Sequence, residues 1–233
     1  MRHTLAAASL LAFAFALASP ASAIFHLMRI VQVYGGDVSH PDAQYVVLQM
    51  CLAGQNQVQG RDVGFFDAAG AAIGVPVVFP AAVGNSASQA RILLATSSTE
   101  TLFGVVADLR MPASLLTAGG KVCFEPGVSP VDCFGWGAYT ALPDATIGTP
   151  YDAGVGLPAG QAVQRDLAIA GDPMMLDCLT PNFDDTNNSA ADFDPTSPAP
   201  VNNGNVAGVI NVDHVFVHGF EAGATAGWSS VVP

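Results

Sequence analysis

The sequence predicts an all-β protein built as an antiparallel sandwich or barrel. Apolar runs rich in Val, Ile, Leu and Phe recur along the chain, turn-rich segments separate them, and no stretch holds a capped 3.6-residue period. In order the runs are "HLMRIVQVY" (26–34), "QYVVLQMCL" (44–52), "VGFFDAAG" (63–70), "IGVPVVFP" (73–80), "ARILLAT" (90–96), "LFGVVADL" (102–109), "KVCFEP" (121–126), "DCFGWGAY" (132–139) and "GVINVDHVFVHGF" (208–220). Between them stand "GGDVSHPD", "GQNQVQGRD", "GNSASQ", "TAGG" and "GVSPVD", the Gly, Pro, Asn, Asp and Ser chemistry of turns. Most runs are continuously apolar and do not alternate, as strands buried within a sandwich would be. "PASLLTAGG" (112–120) is expected to form one helical turn stopped by Gly119 and Gly120.

The ends and the middle divide the chain. "MRHTLAAASLLAFAFALASPASA" (1–23) has a basic start, an apolar run too short to span a bilayer and a small-residue Ala-Ser-Ala end. It therefore reads as a secretory signal peptide cleaved after Ala23. Residues 24–203 are expected to form the β domain and 204–233 a C-terminal extension. After about residue 140 the chain becomes rich in Gly and Pro, and the prolines of "PTSPAPVNNGN" bar it from a central strand. No internal repeat is visible.

Without residues 1–23 the chain loses Arg2 from its seven Lys and Arg. Six then face nineteen Asp and Glu, a formal charge of −13. The six are scattered (Arg29, Arg61, Arg91, Arg110, Lys121, Arg165), so no basic footprint exists for nucleic acid, and anionic membrane surfaces are disfavoured. The four cysteines of an exported chain read as two disulfides with three open connectivities. "FEPGVSPVD" between Cys123 and Cys133 can fold back as a hairpin. That favours Cys123–Cys133 and leaves Cys51–Cys178 by elimination. No Cys or His spacing suits zinc.

The order of segments resembles the lamin-tail domain family. "LMRIVQVYGG", "AQYVVLQM", "VDCFGWGAYT", "GTPYDAG", "LPAGQAVQRDL" and "DDTNNSAADFDPTSPAPVNN" follow one another as that family's motifs do, with Val33-Tyr34, Tyr45 to Leu48, Phe134 to Gly137, Gly160 to Arg165 and Asp185 to Asn203 at the matching places. The resemblance covers roughly 24–203. It implies an immunoglobulin-like antiparallel β-sandwich, and its bacterial members are exported, alone or attached to enzymes. Gln32 and Val47 stand where the family usually carries acids. A shorter likeness, to a Gly-Phe-Glu…Trp box of secreted bacterial proteins, covers "HGFEAGATAGW" (218–228).

The stretch "PNFDDTNNSAADFDPTSPAP" (181–200) carries the candidate site. Asp184, Asp185, Asn187 and Asp192 supply oxygen ligands of the kind calcium takes. An EF-hand loop is absent, because Ala190 and Thr196 fall where its Gly and Glu belong. The plainer reading is preferred: Asp and Asn bond nearby backbone amides in turns while Phe183 and Phe193 pack inward. Asn187-Asn188-Ser189 also matches a glycosylation sequon. His214 and His218 lie about 13 Å apart on a strand, too far for one ion, and His26 and His40 stand alone.

No nucleophile motif or P-loop occurs, and all four cysteines are expected in bridges, so no catalytic residue is named. The expected function is a secreted, non-catalytic module that binds or adheres at the envelope or outside the cell, through an unknown envelope or extracellular partner. It needs no cofactor and makes no stable membrane insertion once the signal is removed. The alternatives are a secreted hydrolase or hydrolase accessory module, which would place two carboxylates in a cleft, and a spacer stabilised by Ca2+.

Overall fold

The computed structural model describes residues 25–210 apart from 128, 153, 180 and 181. The expected signal segment, nearly all of the expected last strand, His214, His218 and the Gly-Phe-Glu box lie outside the described residues. Among the described residues twelve strands and two short helices follow in order: β1 (Met28–Tyr34), β2 (Tyr45–Met50), β3 (Asp62–Asp67), β4 (Val77–Val78), β5 (Arg91–Ala95), α1 (Ser97–Phe103), β6 (Leu109–Arg110), β7 (Gly119–Phe124), β8 (Asp132–Gly137), β9 (Ala162–Arg165), β10 (Cys178–Leu179), β11 (Asn182–Phe183), α2 (Ser189–Asp192) and β12 (Phe193–Thr196).

They form an all-β sandwich. One sheet has the order β12-β9-β1-β2-β5-β6, the other β4-β3-β7-β8, and β10-β11 is a separate hairpin. All pairings are antiparallel except β5 with β6. Between the sheets Ile30, Leu48, Ile92 and Leu94 meet Val63, Phe65, Val122, Phe124, Phe134 and Trp136. Each side chain of this kind contributes roughly 2 kcal/mol when removed from water. The Trp136 indole N–H donates to the Leu116 carbonyl at 2.9 Å, so its polar end is also satisfied.

The outer face of the six-stranded sheet is covered as well. Val31, Tyr34, Tyr45, Val47 and Leu93 pack there against Leu102, Phe103, Leu167 and Leu176. All six residues of β2 are therefore buried. This explains the continuously apolar runs: the central strands have no wet side.

Three local expectations are corrected. "LFGVVADL" is not a strand throughout: Leu102 and Phe103 end α1, and only Leu109–Arg110 pairs. Thr96 caps α1 by accepting from the Thr99 N–H at 3.2 Å, and Gly104 closes it at φ 62°. Residues 112–120 hold no helical turn. Gly119 and Gly120 open β7 instead, where added Cβ atoms would come within 2.6 Å of the Ala138 nitrogen and 2.7 Å of the Phe66 oxygen. Their glycines serve close strand approach, not a helix stop. β9 arises within the Gly- and Pro-rich stretch after residue 140, which reads as loop; β12 is an edge strand, so Pro195 fits there as its exclusion from a central strand requires. Beyond Thr196 the chain continues across the sheet to Val209, whose N–H donates to the Phe103 carbonyl.

Both disulfides are formed, Cys123–Cys133 and Cys51–Cys178. Cys123 and Cys133 sit directly opposite one another on β7 and β8. Cys51, just after β2, holds β10 at a Cα–Cα distance of 5.9 Å across 127 residues of sequence; the other bridge spans 10. Loop-closure entropy assigns roughly 5 kcal/mol to the long bridge and roughly 3 to the short one. Replacing Cys51 and Cys178 by Ala is thus expected to lower the denaturant midpoint more than replacing Cys123 and Cys133. Equal losses, or the reverse order, would contradict that ranking.

Candidate functional site

The acid-rich stretch is organised around a buried cation. Val163 of β9 enters the core, and Arg165, two residues on, points the same way and is 1% exposed. Its Nε donates to the Ile30 carbonyl at 3.0 Å. Nη1 donates to the Asp184 carbonyl at 3.2 Å, to Asp185 Oδ1 at 3.2 Å and to Asp192 Oδ2 at 3.3 Å. Nη2 donates to both oxygens of Asp132, at 3.1 and 2.9 Å. The guanidinium also lies 4.7 Å from the centre of the Phe193 ring.

Backbone geometry creates this position. β9 pairs with β1 only from Gln32 to Tyr34, and β1 carries an irregularity between Ile30 and Gln32. The Ile30 groups on that side therefore lack a strand partner. Asp132, the first residue of β8, accepts from the Ile30 N–H at 2.6 Å while Arg165 takes its carbonyl. The two side chains complete the ladder where β9 stops.

Electrostatics follows from burial. Removal from water pushes the Asp132 carboxyl up to about 6, against the pull of Arg165. Burial alone would lower Arg165, but the charges of Asp132, Asp185 and Asp192 more than offset it and hold the guanidinium above its ordinary value. Arg29 adds a second cation, 2.8 Å from Asp185 Oδ2. Removing one partner from such a buried group costs about 3–5 kcal/mol.

Each sequence-predicted oxygen ligand has a place. Asp185 and Asp192 converge on Arg165. Asp192 also accepts from the Thr186 and Asn188 N–H groups and from the Thr186 hydroxyl. The Asp184 carboxylate faces elsewhere, accepting from the Ala170 N–H at 2.8 Å and the Asp177 N–H at 2.7 Å, which ties down the excursion between β9 and β11. Asn187 is exposed at φ 54°, and its N–H donates to Asp185 in an Asx turn. The amide-bonding turn is what the hydrogen bonds follow. Among the described residues no group of three or more His, Cys, Asp or Glu side chains has the arrangement to hold a metal ion. Phe193 packs inward against Phe134, centroids 4.3 Å apart, whereas Phe183, expected inside, is 39% exposed.

Sequence reasoning missed Asp132 and Arg165 as partners, because they stand 33 residues apart. The usable signal was a solitary Arg ending the short run "AVQR" in a chain with three times as many acids as bases. Other polar groups are local: His40 lies 3.3 Å from Asp37, His26 stacks beside Phe25, and Lys121 pairs with Asp144 at 2.6 Å.

No family model, curated protein or solved structure matches this chain. Among the described residues no helix is long and apolar enough to cross a membrane.

A calcium ion at residues 184–192 would have to displace Arg165 and several amides. The thermal midpoint of the oxidised protein is therefore expected to be the same in EDTA and in millimolar calcium. A ligand at about 100 times its Kd would add roughly 2.7 kcal/mol, so a clear rise in midpoint would overturn this reading.

Proposed function

We propose that this chain is a secreted, non-catalytic module of lamin-tail type with an immunoglobulin-like sandwich, and that its role is binding or adhesion at the cell envelope or outside the cell. The signal-like segment 1–23 and the two disulfides support export, since such bonds persist in oxidising compartments. The acid-rich stretch supports a non-catalytic role: its most buried carboxylates are committed to Arg165 and to backbone amides.

One observation carries the binding role. The excursion between β9 and α2 leaves Ile169, Met174, Met175, Leu179 and Phe183 in water, with Met174 84% exposed. Large apolar side chains held out on one short excursion mark a contact surface. The excursion is fixed in place by the Cys51–Cys178 bridge, by the Asp184 carboxylate and by Gln89, whose Oε1 accepts from the Leu176 N–H at 2.8 Å. Presentation on a fixed frame lowers the ordering cost of binding.

The oxidised chain lacking residues 1–23 is expected to bind isolated envelope material saturably. Replacing Met174 and Phe183 together by Ser should weaken that binding by about tenfold or more, which corresponds to roughly 1.4 kcal/mol. Retention that never saturates, or that the double variant leaves unchanged, would contradict the proposal.

A further inference from the structure

The five methionines among the described residues divide sharply by place. Met28, Met50 and Met111 are buried and belong to the core between the sheets. Met174 and Met175 are 84% and 44% exposed and stand side by side on the excursion between β9 and β10. Backbone chemistry holds them there. The Asp172 carboxylate accepts from the Met174 N–H at 2.9 Å and the Asp172 carbonyl from the Met175 N–H at 3.3 Å, a tight turn that Pro173 favours. The next residue, Leu176, is buried again and is held by Gln89. Both thioethers therefore face water, on the same excursion as the exposed apolar side chains Ile169, Leu179 and Phe183.

A thioether is apolar and polarizable, and its sulfur carries a lone pair that oxidants attack where they can reach it. Other targets are out of play. All four cysteines are bridged, so no thiol competes among the described residues. Trp136, the one tryptophan among them, is 1% exposed. A small diffusing oxidant thus meets two accessible sulfurs, both on one turn, while packing of the sheets shields the other three.

We propose that Met174 and Met175 are an oxidation site for hydrogen peroxide, and that their conversion to sulfoxides switches off the apolar contact surface of the excursion. The sulfur lone pair takes one oxygen of the peroxide as the O–O bond breaks. The other oxygen leaves with both protons as water; sulfur loses two electrons and the peroxide gains them. Each sulfoxide is polar where the thioether was apolar, so the surface loses part of what made it a contact. Both sulfurs lie outside the core, and the fold therefore keeps its stability through the change. Methionine sulfoxide reductases return the thioether, which makes the switch reversible. The switch rests on the excursion being the contact surface proposed above; the pattern of oxidation does not.

The test treats the disulfide-bonded chain lacking residues 1–23 with millimolar hydrogen peroxide. After unfolding and reduction, cleavage before Asp separates the methionines into peptides 24–36, 42–61, 108–131 and 172–176, which mass spectrometry reads apart. Peptide 172–176 is expected to gain oxygen about tenfold or more faster than the other three, with the thermal midpoint of the folded chain unchanged. Retention on phenyl-agarose should fall with oxidation and return after treatment with both reductase types, one for each sulfoxide epimer. In the Met174→Leu, Met175→Leu double variant peroxide should leave retention where it stood before treatment, whatever that variant's own retention. Oxidation of Met28, Met50 or Met111 at a comparable rate in the folded chain would overturn the proposal. So would retention that peroxide leaves unchanged in the parent chain, or lowers equally in the double variant. Isolated envelope material separates the switch from the reading beneath it. Binding about tenfold weaker after oxidation supports both, and saturable binding that oxidation leaves unchanged defeats the switch. No saturable binding even before oxidation defeats the contact-surface reading and the switch with it, and leaves the oxidation site standing on the peptide masses.

Discussion

A guanidinium removed from water must find acceptors for its five N–H groups and charge to balance its own, or the fold around it does not close. The penalty for desolvating an ion is several kcal/mol even after relaxation. Arg165 meets the demand by drawing on five separate places in the chain: β1 through Ile30, β8 through Asp132, the turn through Asp184 and Asp185, α2 through Asp192, and β12 through the Phe193 ring. The stop of β9, the irregularity in β1 and the inward curl of residues 184–192 are one arrangement. An exposed salt bridge would impose no such order, since exposed pairs contribute at most about 1 kcal/mol.

The same sheet is organised differently on its other face. There the strands meet a third layer made of α1, the excursion and the stretch beyond Thr196, and apolar packing alternates with a row of hydrogen-bonded glutamines. The Arg165–Asp132 pair is the one enclosed beside β9, while Arg29, Arg91 and the Glu100–Arg110 pair lie away from it. The long disulfide joins the layers, because Cys51 leaves the central strand β2 and Cys178 begins the hairpin of the excursion.

The parts of this architecture that a local pattern specifies were legible in the sequence. The runs that became β1, β2, β3, β5, β7 and β8 announce themselves by apolar and β-branched content, and the turn residues between Cys123 and Cys133 pointed to their pairing. The parts decided by distant residues were not. β9 is four residues long and ends in a charge, so nothing within "AVQR" declares a strand until Asp132 and Asp192 are brought to it. Asp184, Asp185 and Asp192 bond nearby backbone amides as the sequence suggested, whereas Asn188 Oδ1 is buried without a partner; the second role of Asp185 and Asp192, as counter-charge to Arg165, has no local signature. Leu102 and Phe103 read as strand because a seven-residue helix is too short to establish a period; only the Thr96 cap and Gly104 define it.

The most direct test of this account is a double-mutant cycle on unfolding free energy, with Arg165→Met, Asp192→Asn and the pair combined. If the acid stretch is held by the buried cation, the two losses are not additive. The double variant should be more stable than their sum predicts by roughly 1–3 kcal/mol. Losses that simply add would mean that residues 184–192 fold independently of Arg165, and the central claim would fail.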